Sequence, residues 1–333
     1  MDPLPLLQSF GFPPPDGGPP ASIYPYAPVF KVEAGGQDWI LKRGQRPIER
    51  AQAVAAWARA LAAEGVPVVT PAEGFGENPR RFPGPDGEEQ VWVVYPFIAG
   101  TPYRGSLDEI RAGGVLLGCL HAFRPEAEFG LKVSRTVVEI EREEVEEDAA
   151  GILARLGRFY PQDLAAARAV LAARAERYFS TALPRLLSLE LPLANCTWDY
   201  KAGNLIYRRE DFPPGGAPAR PGALPVLVDA DNAGRIPRLY DLAIAALLFH
   251  NDGIGPGRLF TPAEWSVFLQ GYLSRVRLTP EELEAWDDLL LCAWVDEALW
   301  LLNGDEEDWA HPVQGPMQRS LLLQDLGSFA LPH

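Results

Sequence analysis

Residues 195–209 read N-C-T-W-D-Y-K-A-G-N-L-I-Y-R-R, and residues 224–243 read L-P-V-L-V-D-A-D-N-A-G-R-I-P-R-L-Y-D-L-A. Asp199 is followed by four residues and then Asn204. A β-type run, 205–207, comes next, then a Pro/Gly-rich excursion, then a second β-type run, 225–228, that ends on Asp229. Asp and Asn are common turn residues, so the spacing alone decides little. The run directly after Asn204, the run directly before Asp229 and a third carboxylate in Asp241-Leu242-Ala243 decide more. A carboxylate, an amide and a second carboxylate at the mouth of a hairpin suit phosphoryl transfer. The first orients a hydroxyl, and the other two hold Mg²⁺ against a nucleotide's phosphates.

The chain has 333 residues, enough for two lobes with a sizeable core. A formal net charge of −15 speaks against nucleic acid, whose phosphates demand a basic face. The same acidity admits a cationic substrate and equally serves solubility. Cys119, Cys196 and Cys292 are far apart, without a C-x-x-C pair, and read as small apolar residues in a reducing cytoplasm. No run of eighteen apolar residues is present, so no membrane span is expected. The start, M-D-P-L-P-L-L-Q-S-F, lacks a basic n-region, and no signal peptide is expected.

The first third reads as β-rich. The proline density of 11–28 predicts an extended arm. Runs 29–33 and 39–42 flank Gly35-Gly36, which supplies the positive φ of a tight hairpin. An Ala-rich helix is predicted over 46–64, ended by Gly65 with Pro67 just beyond. Residues 66–69 form a short apolar run, 74–89 a polar loop and 91–98 a strong strand. Thereafter 107–123, 139–156, 163–179, 182–189, 241–249, 262–275, 280–302 and 316–329 read as helices. The insert 211–225 reads as a surface loop and 305–308, D-E-E-D, as a solvated turn. A cleft is expected near 97–100, where the character changes.

These motifs together resemble the aminoglycoside phosphotransferase-like family of small-molecule kinases, which share the protein-kinase fold. The family's catalytic loop, H-G-D-x-H-x-x-N, stands here as T-W-D-Y-K-A-G-N at 197–204. Its metal segment stands as V-D-A-D-N-A-G-R-I-P-R-L-Y-D-L-A at 228–243. L-G-C-L-H at 117–121 and G-V-P-V at 65–68 resemble further family segments. The resemblance is specific over 195–243 and diffuse over the rest of 25–330. It implies an α+β, bilobal kinase-like fold. A nucleotide-binding lobe, a small antiparallel sheet with one helix, would span 1–98, and a mainly helical catalytic and substrate lobe 99–333. It implies ATP or GTP with Mg²⁺ as cofactors and a small-molecule hydroxyl as acceptor. Asp199 would act as base or hydroxyl-orienting residue, Asn204 and Asp229 would ligate Mg²⁺, and Lys42 would hold the α/β-phosphates. The backbone around Tyr95, Phe97 and Ile98 would receive the adenine, and Asp241 would brace the catalytic loop.

The chain departs from the family at four places. Thr197 replaces the usual His and offers one bracing hydrogen bond in its stead. Trp198 replaces Gly. Lys201 stands where the family often has His; it reaches either the γ-phosphate or Asp199. The first helix lacks the Glu that would pair with Lys42: Val54 stands in its place. Either Glu49 serves instead or Asp229 holds Lys42 alone. No G-x-G-x-x-G covers the phosphates; 22–28 stands there with two tyrosines and two prolines.

His121 and His250 read as structural. Asp252, Asp296 and Glu297 are expected to line the acceptor pocket, the last two because they sit among large apolar residues in C-A-W-V-D-E-A-L-W. The reading is an ATP-dependent small-molecule phosphotransferase, with an aminoglycoside-type antibiotic as first substrate and an amino alcohol or sugar metabolite as the next. A catalytically weak scaffold of the same fold is the alternative.

Overall fold

The computed structural model describes residues 3–332 apart from 15–17, 25–26, 45–46, 85–86, 127, 135–139, 214–216 and 252–256. Asp252 therefore lies outside the described residues, as do Pro25 and Tyr26 of the 22–28 segment. The chain forms two compact units. One comprises Met1–Ala99, Arg124–Lys132 and Val226–Ala233; the other comprises Gly100–Phe123, Val133–Pro225 and Gly234–His333. Among the described residues, no helix is long and apolar enough to cross a membrane.

In the first unit, helix α1 (Leu4–Ser9) precedes strands β1 (Val29–Ala34) and β2 (Gln37–Arg43), then α2 (Ile48–Ala63), β3 (Arg80–Pro83) and β4 (Glu89–Pro96). The sheet is antiparallel with order β1-β2-β4-β3. Gly35 and Gly36 turn the first hairpin at φ +63° and +74°, which a Cβ would oppose. One sheet face carries Phe30, Val32, Leu41, Trp92 and Val94, and the N-terminal Leu6, Leu7, Phe10 and Phe12 cover it. One element appears that the sequence reading does not include, and one expectation changes. The start of the chain is a helix that caps the core, because its leucines and phenylalanines bury together. Within the expected loop 74–89, R-R-F-P pairs with β4, Arg80 opposite Trp92 and Phe82 opposite Gln90. Phe82 packs on the core while arginine guards the sheet edge, a common protection against edge pairing. The expected strand 66–69 is reduced to a parallel bridge between Val68 and Leu227. Backbone bonds from Val69 N to Leu227 O (2.8 Å) and from Leu227 N to Pro67 O (3.0 Å) fix the segment that carries Asp229.

In the second unit, α3 (Leu107–Ala122) starts at a capping box between Ser106 and Glu109. It packs on α8 (Pro262–Leu273), where a Cβ on Gly114 would lie 2.0 Å from Phe268 O and one on Gly271 2.4 Å from Arg111 O. The two backbones therefore touch only because both positions are glycine. A short β5 (Lys132–Val133) precedes α4 (Arg142–Phe159) and α5 (Leu164–Arg177), which runs through a π turn into α6 (Leu183–Leu187). Strand β6 (Leu193–Cys196) pairs antiparallel with β9 (Gly234–Pro237), Ala194 opposite Ile236. The predicted runs around the catalytic loop shorten to β7 (Leu205–Ile206) and β8 (Val226–Leu227). Helix α7 (Arg238–Leu248) is buried along its length. The predicted helix 280–302 is α9 (Pro280–Ala293), a π turn Trp294–Ala298 and α10 (Leu299–Leu302). D-E-E-D opens a helix rather than a turn: α11 (Glu306–Ala310) places acids at its positive end, and buried Trp309 pins it. Helix α12 (Gln314–Leu323) follows, with a 3₁₀ turn at Leu326–Phe329. Among its described residues the insert, expected as a surface loop, is held to the unit: Arg220 pairs with Asp211 at 2.8 Å, and Phe212 is buried against Tyr207.

Candidate active site

Lys42 lies on β2, its Nζ 2.6 Å from Asp229 Oδ2 and 3.1 Å from Asp231 Oδ2. Burial alone would depress the ammonium, but the Asp231 and Asp229 carboxylates outweigh it and raise the Lys42 pKa. Burial pushes the Asp231 carboxyl up against the pull of Lys42, and the Asp229 charge adds to the push. The Asp231 N–H donates to Asp229 Oδ1 at 3.2 Å, so a single turn presents both acids. The sequence reading leaves Asp231 unassigned; the repeated acid in D-A-D is the one signal for it. Neither expected partner arrangement for Lys42 holds. Glu49 is exposed and paired with Arg81 at 2.9 Å, and Asp229 shares the lysine with Asp231.

Tyr95 stands opposite Ile40 on the β4–β2 register. Burial, then the Asp231 and Asp229 charges, raise its phenol well above the ordinary range. The Phe97 N–H donates to Asp38 O at 3.1 Å, and its ring underlies the Lys31 ammonium at 4.2 Å. Ile98 is half-buried just after the strand.

In the second unit, β6 delivers the chain into T-W-D. Trp198 has φ +54°, the only positive value at a non-glycine among the described residues. A left-handed backbone favours glycine, and the tryptophan adopts it at a cost of roughly 1 kcal/mol. The Asn204 amide, closing a 3₁₀ turn, donates to Asp199 O at 2.9 Å and Asp199 Oδ2 at 3.3 Å. That leaves its Oδ1 as the available oxygen. Lys201 Nζ lies 3.4 Å from Asp199 Oδ1.

Behind this loop, fully buried Asp241 accepts from Thr197 N at 2.9 Å and from Thr197 Oγ1 at 3.0 Å. His121 Nε2 lies 3.2 Å from the same carboxylate, and His121 Nδ1 3.1 Å from the Tyr272 hydroxyl. Thr197 thus makes the bracing bond, and His121, with Tyr272, fills the space around it. His250 is structural as well: its ring nitrogens contact Tyr103 Oη (2.8 Å) and Arg258 O (2.9 Å). Burial pushes its pKa down to about 4.

Asp296 and Glu297 lie on the π turn, a local irregularity that frequently marks functional sites. The Tyr240 hydroxyl donates to Asp296 Oδ2. Burial raises the Asp296 carboxyl against that hydrogen bond. Glu297 is pushed up to about 8 by burial, then by Asp296 and Asp199, with Lys201 opposing and Asp241 adding slightly. Asp296 and Glu297 therefore share one electrostatic environment with Asp199 and Lys201.

A model of the phosphotransferase enzyme family matches residues 26–289. The chain belongs to that family. It is an enzyme of the kinase type, and the resemblance read from 195–243 and the α+β kinase-like fold class are borne out. Three solved structures show the fold. An amicoumacin kinase in complex with AMP-PNP, Ca²⁺ and Ami has 17% identity and TM-score 0.61, covering 91% of this chain and 86% of its own. A microcompartment-associated aminopropanol kinase has 16% identity and TM-score 0.55, covering 90% and 86%. A spectinomycin phosphotransferase in complex with ADP and spectinomycin has 12% identity and TM-score 0.55, covering 90% and 86%. A search of curated proteins finds no match.

Proposed function

We propose that this kinase phosphorylates a hydroxyl of a small cationic molecule, with ATP as donor and Mg²⁺ as metal. The observation that carries the reading is the Lys42–Asp229 pair at 2.6 Å, which joins residues 187 positions apart in a kinase-type arrangement. Each expected metal ligand offers oxygen, the Asp229 carboxylate in the first unit and the Asn204 amide in the second, and oxygen donors suit a hard divalent cation. When bound, Mg²⁺ neutralises phosphate charge while the nucleotide supplies the phosphoryl group.

The chain's own residues do the rest. Lys42 holds phosphate oxygens, with Tyr95, Phe97 and Ile98 at the base. Asp199 orients the acceptor hydroxyl and takes up its proton, and Lys201 steadies the transferring charge. Asp241, Thr197 and His121 hold the loop still. Asp296 and Glu297 meet the acceptor's ammonium, which favours an amino alcohol or amino sugar, aminoglycoside-type antibiotics included. The structural relatives named for amicoumacin, aminopropanol and spectinomycin are in keeping with such acceptors. The test is phosphorylation of a panel of amino sugars and amino alcohols, followed by phosphorus NMR. Product that forms with wild type and vanishes in Asp199→Asn supports the reading; no product across the panel sinks it.

A further inference from the structure

The first unit gathers its charges differently from the arrangement the sequence leads one to expect. The helix position expected to carry a glutamate for Lys42 holds buried Val54. Asp231 takes the pairing at 3.1 Å. The same helix offers a cation instead, Arg50, in its first turn. Its Nε is buried with no hydrogen-bond partner. Among the described residues Arg50 makes no ion pair, and the acid beside it in sequence, Glu49, is already bound to Arg81. The first turn of α2 nonetheless lies beside the end of the lysine's strand: a Cβ on Gly44, two residues after Lys42, would stand 4.0 Å from the Cβ of Ala51, the residue next to Arg50, and the Arg50 charge acts on the Asp231 carboxylate. A buried guanidinium nitrogen without an acceptor costs about 1–3 kcal/mol, so the place it faces is built for an acceptor that arrives.

We propose that Arg50 is a second phosphate-binding cation, which receives the polyphosphate of the nucleotide beside Lys42. The inference rests on the nucleotide reading given above. Lys42 is already engaged by two carboxylates, and an ammonium has three donors. Arg50 adds a planar fork that matches phosphate oxygens two at a time. Its place in the first turn of a sixteen-residue helix adds the favourable end of the helix dipole. With Arg50 counted, two cations act on Asp231, and Lys42 also pairs with Asp229. That balance leaves the acids free to meet a metal once phosphate has drawn the cations toward itself. The ligand class is thus a nucleoside di- or triphosphate, recognised through its phosphates.

The experiment is calorimetric titration of ADP without metal, and of adenosine, into wild type, Arg50→Ala, Arg50→Gln and Lys42→Met. Unliganded melting curves confirm that each variant is folded. Arg50→Gln keeps most of the side-chain stem and serves if Arg50→Ala does not fold. The expected result is a loss of roughly tenfold or more in ADP affinity on removing Arg50, with adenosine affinity unchanged. ADP affinity that survives in the Arg50 variants but falls in Lys42→Met overturns the proposal and leaves the nucleotide reading intact. Equal losses for ADP and adenosine also overturn it, since they assign Arg50 a structural role. A wild type that binds neither ligand removes both the proposal and the reading beneath it.

Discussion

In the first unit the acids of the cluster stand against cations: Lys42 is 2.6 Å from Asp229 and 3.1 Å from Asp231, with Arg50 acting on Asp231. In the second, Asp199, Asp241, Asp296 and Glu297 share one neighbourhood in which Lys201 is the opposing cation that acts on Glu297. The first set is balanced and the second is short of positive charge. A balanced set suits a ligand that brings anion and metal together. An acid-heavy set, with one carboxyl pushed up to about 8, suits a ligand that brings a cation. On the function proposed above, the two ends of the reaction differ in charge as well as in fold.

Neutralising Asp199 should break the contrast most severely. Asp199→Asn is expected to lower turnover by about 10²–10⁴-fold while ADP affinity stays put, measured by steady-state phosphorylation and calorimetry. A variant keeping a tenth of wild-type turnover would remove Asp199 from the chemistry.

Asp241→Ala comes next. It strips the acceptor from Thr197 N, Thr197 Oγ1 and His121, all buried. Unsatisfied buried donors predict a loss of about 3 kcal/mol in denaturant unfolding. A loss below about 1 kcal/mol would show the loop is held elsewhere.

The Glu297 prediction sharpens the contrast through pH. Its folded pKa of about 8 lies above the ordinary 4.5, so its protonated form favours the fold. That contribution is complete below pH 4.5 and is lost as pH rises through 8. Glu297→Gln should therefore flatten the decline in stability across this window. The groups facing Glu297 are Asp296 on its own turn, Asp199 and Lys201 on the catalytic loop and Asp241 on α7. In wild type the KM for an ammonium-bearing acceptor should fall between pH 6 and 8 as Glu297 ionises. In Glu297→Gln that fall should be absent; a KM profile identical to wild type would take Glu297 out of the acceptor site.

What the sequence made legible was local. The Gly35-Gly36 turn, the stop of α2 at Gly65 and the helices around α3, α8 and α9 follow from neighbours in the chain. The D-x-x-x-x-N spacing, with β-type runs on either side, singles out Asp199, Asn204 and Asp229 as candidates. Elements defined by remote partners were not legible. R-R-F-P becomes β3 only because β4 lies beside it, and α1 forms because a sheet face needs covering. The π turn under Asp296 leaves no mark in hydrophobic periodicity. Asp231 gains meaning only through its approach to Lys42, and Arg50 through its charge on Asp231, neighbourhoods that no spacing along the chain encodes.

The smallest expected effect tests which acid the lysine answers to. Glu49 is the one carboxylate early in α2, and a kinase-type reading of the sequence turns to it first. In the structure its partner is Arg81, and both side chains are more than half exposed, at 67% and 52%. Such pairs contribute about 0–1 kcal/mol, screened further by salt. Glu49→Ala should therefore change unfolding stability by less than about 1 kcal/mol and leave nucleotide affinity as it was. Asp231→Asn should instead weaken ADP binding, because it releases the ammonium that Asp231 and Asp229 together position. If Glu49→Ala proved the more damaging of the two, α2 would have to shift in the nucleotide-bound enzyme to bring Glu49 to Lys42. The balance of charges described for the first unit would then belong to its unliganded form alone.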